Sequence, residues 1–350
     1  MLAANGFSFI KSTTDFSDKA KTVKIEDVEN FNIRDHLLKL CDKGFVENLN
    51  GKSLNEAIVL IYKDIDLELT IEKVNEFINH HYNKIGMIER ESLNFYNMGT
   101  KMALDSMARY LSEDSGIVFE TDVSKPEPYL ISSAILKNTV NYTTMPIVFA
   151  MIAKKFNIPV SLVNIEGHVF LRHESGLERF NVECSGPQSS GIGGTDEQYI
   201  VNYKAARVTV KNGVNMRSLN LAESIGMLFN NKMQYYYKKK LYREIDKLCA
   251  YALLFNDRDY FAIRTIMGNL RNSKKTQEKE YLYNSLVDHL NSMGGHFNKE
   301  QLTAAQIKQR RQIEIDKKAD KIRSEQKRKG QSNDLVPKLP SVSAPNTLKK

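Results

Sequence analysis

Along most of the first 110 residues, apolar positions return every three or four steps, the spacing of helices with one buried face. Ile33, His36, Leu37, Leu38 and Leu40 share such a face. Ser53-Leu-Asn-Glu56 has the spacing of a capping box ahead of Ala57, Ile58, Leu60 and Ile61. Thr70 opens a helix through Val74, Phe77 and Ile78. A further helix is predicted from about Glu89 to Leu111, with Leu93, Tyr96, Met102, Met107 and Leu111 as its apolar points. Large apolar residues at this spacing are packing positions. His80-His81 lies in the same stretch. Neighbours on a helix point about 100° apart. No acid or Cys stands at a ligand spacing, so the pair reads as solvated or half-buried rather than as a metal site.

The period changes after residue 112. The stretch SEDSGIVFETDVSKPE is a loop, with a short strand expected at Ile117–Glu120, and Pro126 and Pro128 introduce a helix near Tyr129–Leu136. Val148, Phe149, Ile152, Ala153 and Phe156 then recur at helical spacing. Pro146 sits in the first turn of that helix, where its missing N–H costs nothing, and Thr143 or Thr144 is the expected cap. After an Asn-Ile-Pro turn, Val160, Leu162 and Ile165 read as a strand, Val169–Leu171 as a second, and Glu178–Glu183 as a third beyond a Ser-Gly turn at 175–176. Glu166 and His173 are placed on turns. Ser185–Thr195 is Gly- and Ser-rich but lacks the Lys of a phosphate loop, and reads as a connector. Asp196-Glu-Gln-Tyr199 opens a short helix, and Ala206–Val210 is expected as a strand.

From Leu219 the helical period returns. Leu221, Ile225, Leu228, Phe229 and Met233 form one run, and Ile245, Leu248, Cys249, Ala252 and Leu253 another. Phe261, Ile263, Ile266 and Leu270 resume it after Asn256-Asp257. This is one tetratricopeptide-like hairpin and part of a next. Fewer than about three repeats rarely stand alone, so the region is expected to pack on the core. Tyr235-Tyr-Tyr-Lys-Lys-Lys240 mixes aromatics and bases, but on a helix these point all round. A helix end with snorkelling lysines is the preferred reading over a nucleic-acid patch.

The resulting division is a disordered arm over 1–25, a helical region over 26–112, an α+β core over 113–217, a helical region over 218–295, and a basic charged helix with disordered tail over 296–350. Charge sharpens the last boundary. Residues 297–350 hold 14 Lys+Arg against 6 Asp+Glu, and the chain totals of 50 and 42 leave 36 of each sign elsewhere. The whole excess of +8 therefore belongs to the tail. No window reaches the ~18 apolar residues of a membrane helix. The start shows no basic segment ahead of a long apolar one, so no secretory signal is expected. Cys41, Cys184 and Cys249 form neither a disulfide framework nor a metal pattern, which points to a reducing, cytoplasmic compartment. No cofactor or metal is expected.

A helix start, then Gly167-His168-Val169-Phe170-Leu171-Arg172, then Phe180-Asn181-Val182-Glu183, resembles the core of the transglutaminase-like (papain-related) superfamily. The likeness is to the bacterial type, whose core is followed by a tetratricopeptide-like helical region. It covers roughly 128–200 well and the later helices loosely. The resemblance implies an α+β papain/transglutaminase-like core, a buried helix plus a small antiparallel sheet, flanked by helical regions. It also implies a Cys nucleophile at the helix start, a His base on the next strand and an orienting acid on the third. Here His168 takes the place of the base and Glu183 that of the orienter, with Asn181 as the alternative on the same strand face. Asn141 and Thr144-Met145-Pro146 set the register, and it puts Tyr142 at the nucleophile position.

A Cys works there because its thiolate forms near neutral pH beside a His and a helix N-terminus. A Tyr phenol, with a reference pKa of about 10 and a rigid ring, does not replace it. Thr143 and Thr144 are read as caps. Cys184 follows Glu183 on a strand and points to the other side. The preferred reading is a catalytically inactive protein that binds or scaffolds a protein partner. In it Tyr142 contacts His168, with Glu183 or Asn181 beyond the imidazole. Two alternatives stand beside it: an active acyl-transfer or peptide-hydrolysing enzyme with an unusual nucleophile, and an adaptor that holds nucleic acid or another anionic partner through 297–350.

Overall fold

Several helix starts in this chain are capped by small polar side chains. In α3 (Leu54–Tyr62), Ser53 accepts from the Glu56 N–H while Glu56 accepts from the Ser53 N–H, a reciprocal capping box. The computed structural model describes residues 33–91, 99–184, 191–273 and 276–294, and side chains for these except 88–91. The arm over 1–25, the tail over 296–350, residues 185–190 of the Gly/Ser connector, and Leu93 and Tyr96 lie outside the described residues.

Before α3 come α1 (Arg34–Leu40) and α2 (Lys43–Leu49), and after it α4 (Ile71–Glu91) and α5 (Thr100–Arg109). The sequence suggested one helix over 89–111. Instead α4 runs on to Glu91, and α5 starts after Gly99, whose extended backbone makes it the cap. A wider π turn, Tyr110–Asp114, closes α5. Next come β1 (Val118–Phe119), α6 (Ile131–Lys137) and β2 (Thr139–Val140). Asn138, left-handed at φ 51, ends α6 and turns the chain into β2. β1 falls within the strand expected at 117–120, and it forms with β2 a two-residue parallel pair apart from the main sheet, a partner the sequence did not foresee.

The main sheet follows α7 (Met145–Lys155): β3 (Val160–Ile165), β4 (His168–Ser175), β5 (Glu178–Glu183) and β6 (Gly191–Ile192), in that order and antiparallel throughout. The architecture is α+β. Two-residue turns fix the register, with Gly167 (φ +80) and Gly176 (φ +59) supplying the left-handed residue that each hairpin requires. Met216 N–H bonds to the Asn164 carbonyl and Leu219 N–H to that of Leu162, which closes the outer edge of β3.

α7 is capped differently from expectation. Thr144 holds the N-cap position as expected, but its side chain accepts from no helix N–H. Asn141 Oδ1 accepts from the N–H groups of Thr143 (2.9 Å) and Thr144 (3.2 Å), and Thr144 Oγ1 donates to the Pro128 carbonyl. From Met145 to Ala153 only Ala150 escapes full burial.

The chain then forms α8 (Asp196–Asn202), α9 (Arg207–Lys211), α10 (Leu221–Lys238), α11 (Ile245–Phe255), α12 (Tyr260–Asn272) and α13 (Gln277–Ser292). α9 stands where a strand was expected. Val208, Thr209 and Val210 favour a strand locally, but the place beside β3 is taken by 216–219. His173, expected on a turn, is buried in β4 and bonds the Pro159 carbonyl through Nδ1.

The C-terminal helices interlock with the N-terminal ones. Tyr62 hydroxyl donates to the Leu228 carbonyl, Asp42 N–H to the Tyr251 hydroxyl, and Lys232 Nζ to both the Ile61 carbonyl and Asp64. Lys232 thus closes the C-terminal end of α3. At the far end of α10, Lys238 lies over the Tyr129 ring and Lys239 pairs with Glu127. No helix among the described residues is long and apolar enough to cross a membrane.

Candidate functional site

Strand alternation decides which side chains meet. Val163 pairs with Phe170, Ile165 with His168, and Arg172 with Asn181, so these share one sheet face. Val163, Ile165 and Phe170 form a buried cluster with Tyr199 of α8, Ala205 and Met216. α8 therefore covers this face. α7 packs on β3 and β4, and α5 on β5 and β6. None of their buried side chains belongs to that cluster. They close the opposite face, where Leu162, Leu171 and Val182 are buried.

His168 Nε2 lies 2.8 Å from Glu183 Oε2. The same oxygen accepts from the Tyr199 hydroxyl at 3.0 Å, and Oε1 accepts from the Cys184 N–H at 2.9 Å. A carboxylate used this way only accepts, so the imidazole proton sits on Nε2. The imidazole is 5% exposed. Its ring lies parallel to Tyr203, 4.6 Å between centroids, and Tyr199 stacks on Phe170 at 4.1 Å. Burial, then the Glu183 charge beside it, holds the Tyr199 phenol far above its ordinary pKa.

Asn181 shares the face of Glu183 but serves another group. Arg172, 2% exposed, donates from Nε to Asn181 Oδ1, from Nη1 to the Met216 carbonyl and from Nη2 to Asp196. Asn181 Nδ2 donates to Asp196 and to the Gly194 carbonyl. Arg179 holds the second oxygen of Asp196. Burial pushes the Asp196 carboxyl up. Asn181, Arg172 and Arg179 outweigh that and hold it below its ordinary value. Gly193 lets this region close up, since a Cβ there would stand 2.5 Å from the Tyr199 hydroxyl.

The contact expected between Tyr142 and His168 is not seen among the described residues. The half-buried Tyr142 ring packs edge-on against Tyr129 at 6.3 Å. Among the described residues no hydrogen bond or ring contact joins it to His168. The physical reason is the alternation above: Tyr142 leads into α7 on one side of the sheet, and His168 faces α8 on the other.

No thiol compensates. Burial pushes Cys41 up to about 12 and Cys184 and Cys249 well above their ordinary value. None of the three hydrogen-bonds His168. No group of three or more His, Cys, Asp or Glu among the described residues could hold a metal ion. Of the histidine pair on α4, His81 is buried with Nδ1 3.1 Å from the Tyr110 hydroxyl, and His80 is exposed.

Sequence reasoning missed Arg172 as the centre of a network with Asp196, and Tyr199 and Tyr203 as partners of Glu183 and His168. The signal was present. Positions 168, 170 and 172 alternate on a strand, and 196, 199 and 203 fall on one helical stripe. Only tertiary structure lays the two over each other. No family model, curated protein or solved structure matches the chain.

Proposed function

We propose that this chain is a non-catalytic protein on a transglutaminase-like core, acting by binding or scaffolding a protein partner in a reducing compartment. Support for the core comes from the order α7, β3, β4, β5 and from the His168–Glu183 pair. The observation that carries the non-catalytic reading is the state of the thiols. All three cysteines are free, and burial keeps each protonated at neutral pH. Nucleophilic catalysis needs a thiolate in reach of the imidazole. What the imidazole has instead is a carboxylate and an aromatic ring.

The test is a thiol-reactive acyl probe on the purified full chain, beside peptide hydrolysis and cross-linking assays. The expected result is labelling no faster than that of an unactivated buried cysteine, and no turnover. Turnover that disappears in His168→Ala would overturn the reading in favour of an enzyme with an unusual nucleophile. A second reading is favoured by the charge partition. The +8 confined to 297–350 makes that segment a candidate for anionic partners. Removing 297–350 should abolish salt-sensitive binding to polyanions, because phosphate contacts weaken steeply with salt.

A further inference from the structure

The His168–Glu183 pair lies beneath α8, and α8 is held in an unusual way. It shares no extensive contact with any other helix or strand. Its hold lies in a few side chains: Asp196 at its start, Tyr199 one turn on with the half-buried Ile200 beside it, and Tyr203 just past its end. Glu197, Gln198, Val201 and Asn202, on its other sides, are exposed. Gly193 and Gly194 precede the helix, and left-handed Lys204 (φ 53) follows it. Segments with few packed contacts open at a lower free energy than the whole fold.

We propose that α8 is a hinged strap over the His168–Glu183 pair, latched by Asp196 between Arg172 and Arg179, and that it lifts while the sheet stays folded. The sheet keeps its own bonds when the strap lifts. Arg172 retains Asn181 and the Met216 carbonyl. Glu183 retains His168 and the Cys184 N–H. What is lost is the Tyr199 hydroxyl on Glu183, the Tyr203 ring over the imidazole, and the apolar cover of Phe170. Lifting exposes a histidine–carboxylate pair but supplies no thiolate. The strap and the non-catalytic reading are therefore independent, and either can fail alone.

β4 carries its own control. His168 and His173 lie on opposite faces of one strand, 5% and 1% exposed. The full chain is treated with diethyl pyrocarbonate under native conditions, and acylation at each histidine is followed by peptide mass. His168 is expected to react at least about tenfold faster than His173, as a sub-global opening requires. Asp196→Asn and Arg179→Met should each raise the His168 rate severalfold and leave His173 unchanged. Arg179 is half-exposed, so Arg179→Met keeps the test decisive if Asp196→Asn fails to fold. Equal rates at the two histidines overturn the proposal. So does acceleration of both together in the variants, or no acceleration of His168 in either. Any turnover in Asp196→Asn would count against the non-catalytic reading and leave the strap in place.

Discussion

On the α7 side of the sheet, Leu162, Leu171 and Val182 are sealed by helices whose inner residues are almost wholly apolar. On the α8 side, a guanidinium, two carboxylates, an amide and an imidazole lie among three aromatic rings, Phe170, Tyr199 and Tyr203. Both sides are buried, but for different reasons. The first is closed by shape and area, which act without direction. The second adds to an apolar cluster around Phe170 a set of hydrogen bonds that each need a partner at a set distance and angle. A non-directional contact accepts a small shift of helix on sheet. A directional network holds one arrangement or fails in pieces, and for that reason the polar side carries the hinged element.

The largest effect should come from breaking the apolar side. Phe149→Ala removes a fully buried ring from α7 and should cost about 3–5 kcal/mol in a urea titration. Arg172→Met should cost about 3 kcal/mol, because it leaves the half-buried Asp196 carboxylate and Asn181 without the charge they were arranged around. If Arg172→Met is neutral or stabilising, the network is ornamental and the comparison of faces collapses.

Acid should separate the two faces further. Asp196 is held below its ordinary pKa in the folded chain, so its contribution is present above pH 3.8 and is lost as pH falls through the folded value. Acidification should therefore loosen α8 before α7, seen as earlier amide exchange at 199–205 than at 147–155. His81 adds a loss elsewhere. Burial first, then His80, hold its imidazole down to about 4 from 6.5. The unfolded chain takes up that proton first, so stability falls as pH drops from 6.5 toward 4. His81→Gln should flatten that part of the stability–pH curve without touching α8.

The smallest effects test single bonds. Tyr199→Phe removes one hydrogen bond to Glu183 and keeps the stack, so a loss of about 1 kcal/mol is expected. Tyr142→Cys sharpens the comparison from the other side. With α7 and His168 on opposite faces, the introduced thiol should alkylate at an ordinary rate, and the rate should not change when His168→Ala is added. A fast, His168-dependent rate would place Tyr142 beside the imidazole after all.

The strands 160–165 and 178–183, the 169–171 part of the strand between them, and the helix over 145–155 were legible because their periods and turn glycines are local properties, while the extension of the middle strand through His173 was not. Backbone geometry gives them little choice. The meeting of His168 with Glu183 was expected from the resemblance, with Asn181 as the alternative, and the β4–β5 hairpin leaves Glu183 on the adjacent strand and the same face. The role of Asn181 was not. Its amide could have turned to either neighbour, and only the arrival of Asp196 from fifteen residues away directs it to Arg172. Residues 206–210 were misread for the same reason. Three β-branched residues in a row favour a strand until another segment already holds the sheet edge. Tyr142 shows the limit most plainly. Sequence order put it one helix start away from His168, while the side of the sheet on which α7 packs was set by long-range burial of Phe149, Ile152 and their partners. Local spacing determines which elements form and which face of each is apolar. Which faces then meet depends on contacts between residues far apart in the chain, and that choice was made only in the tertiary structure.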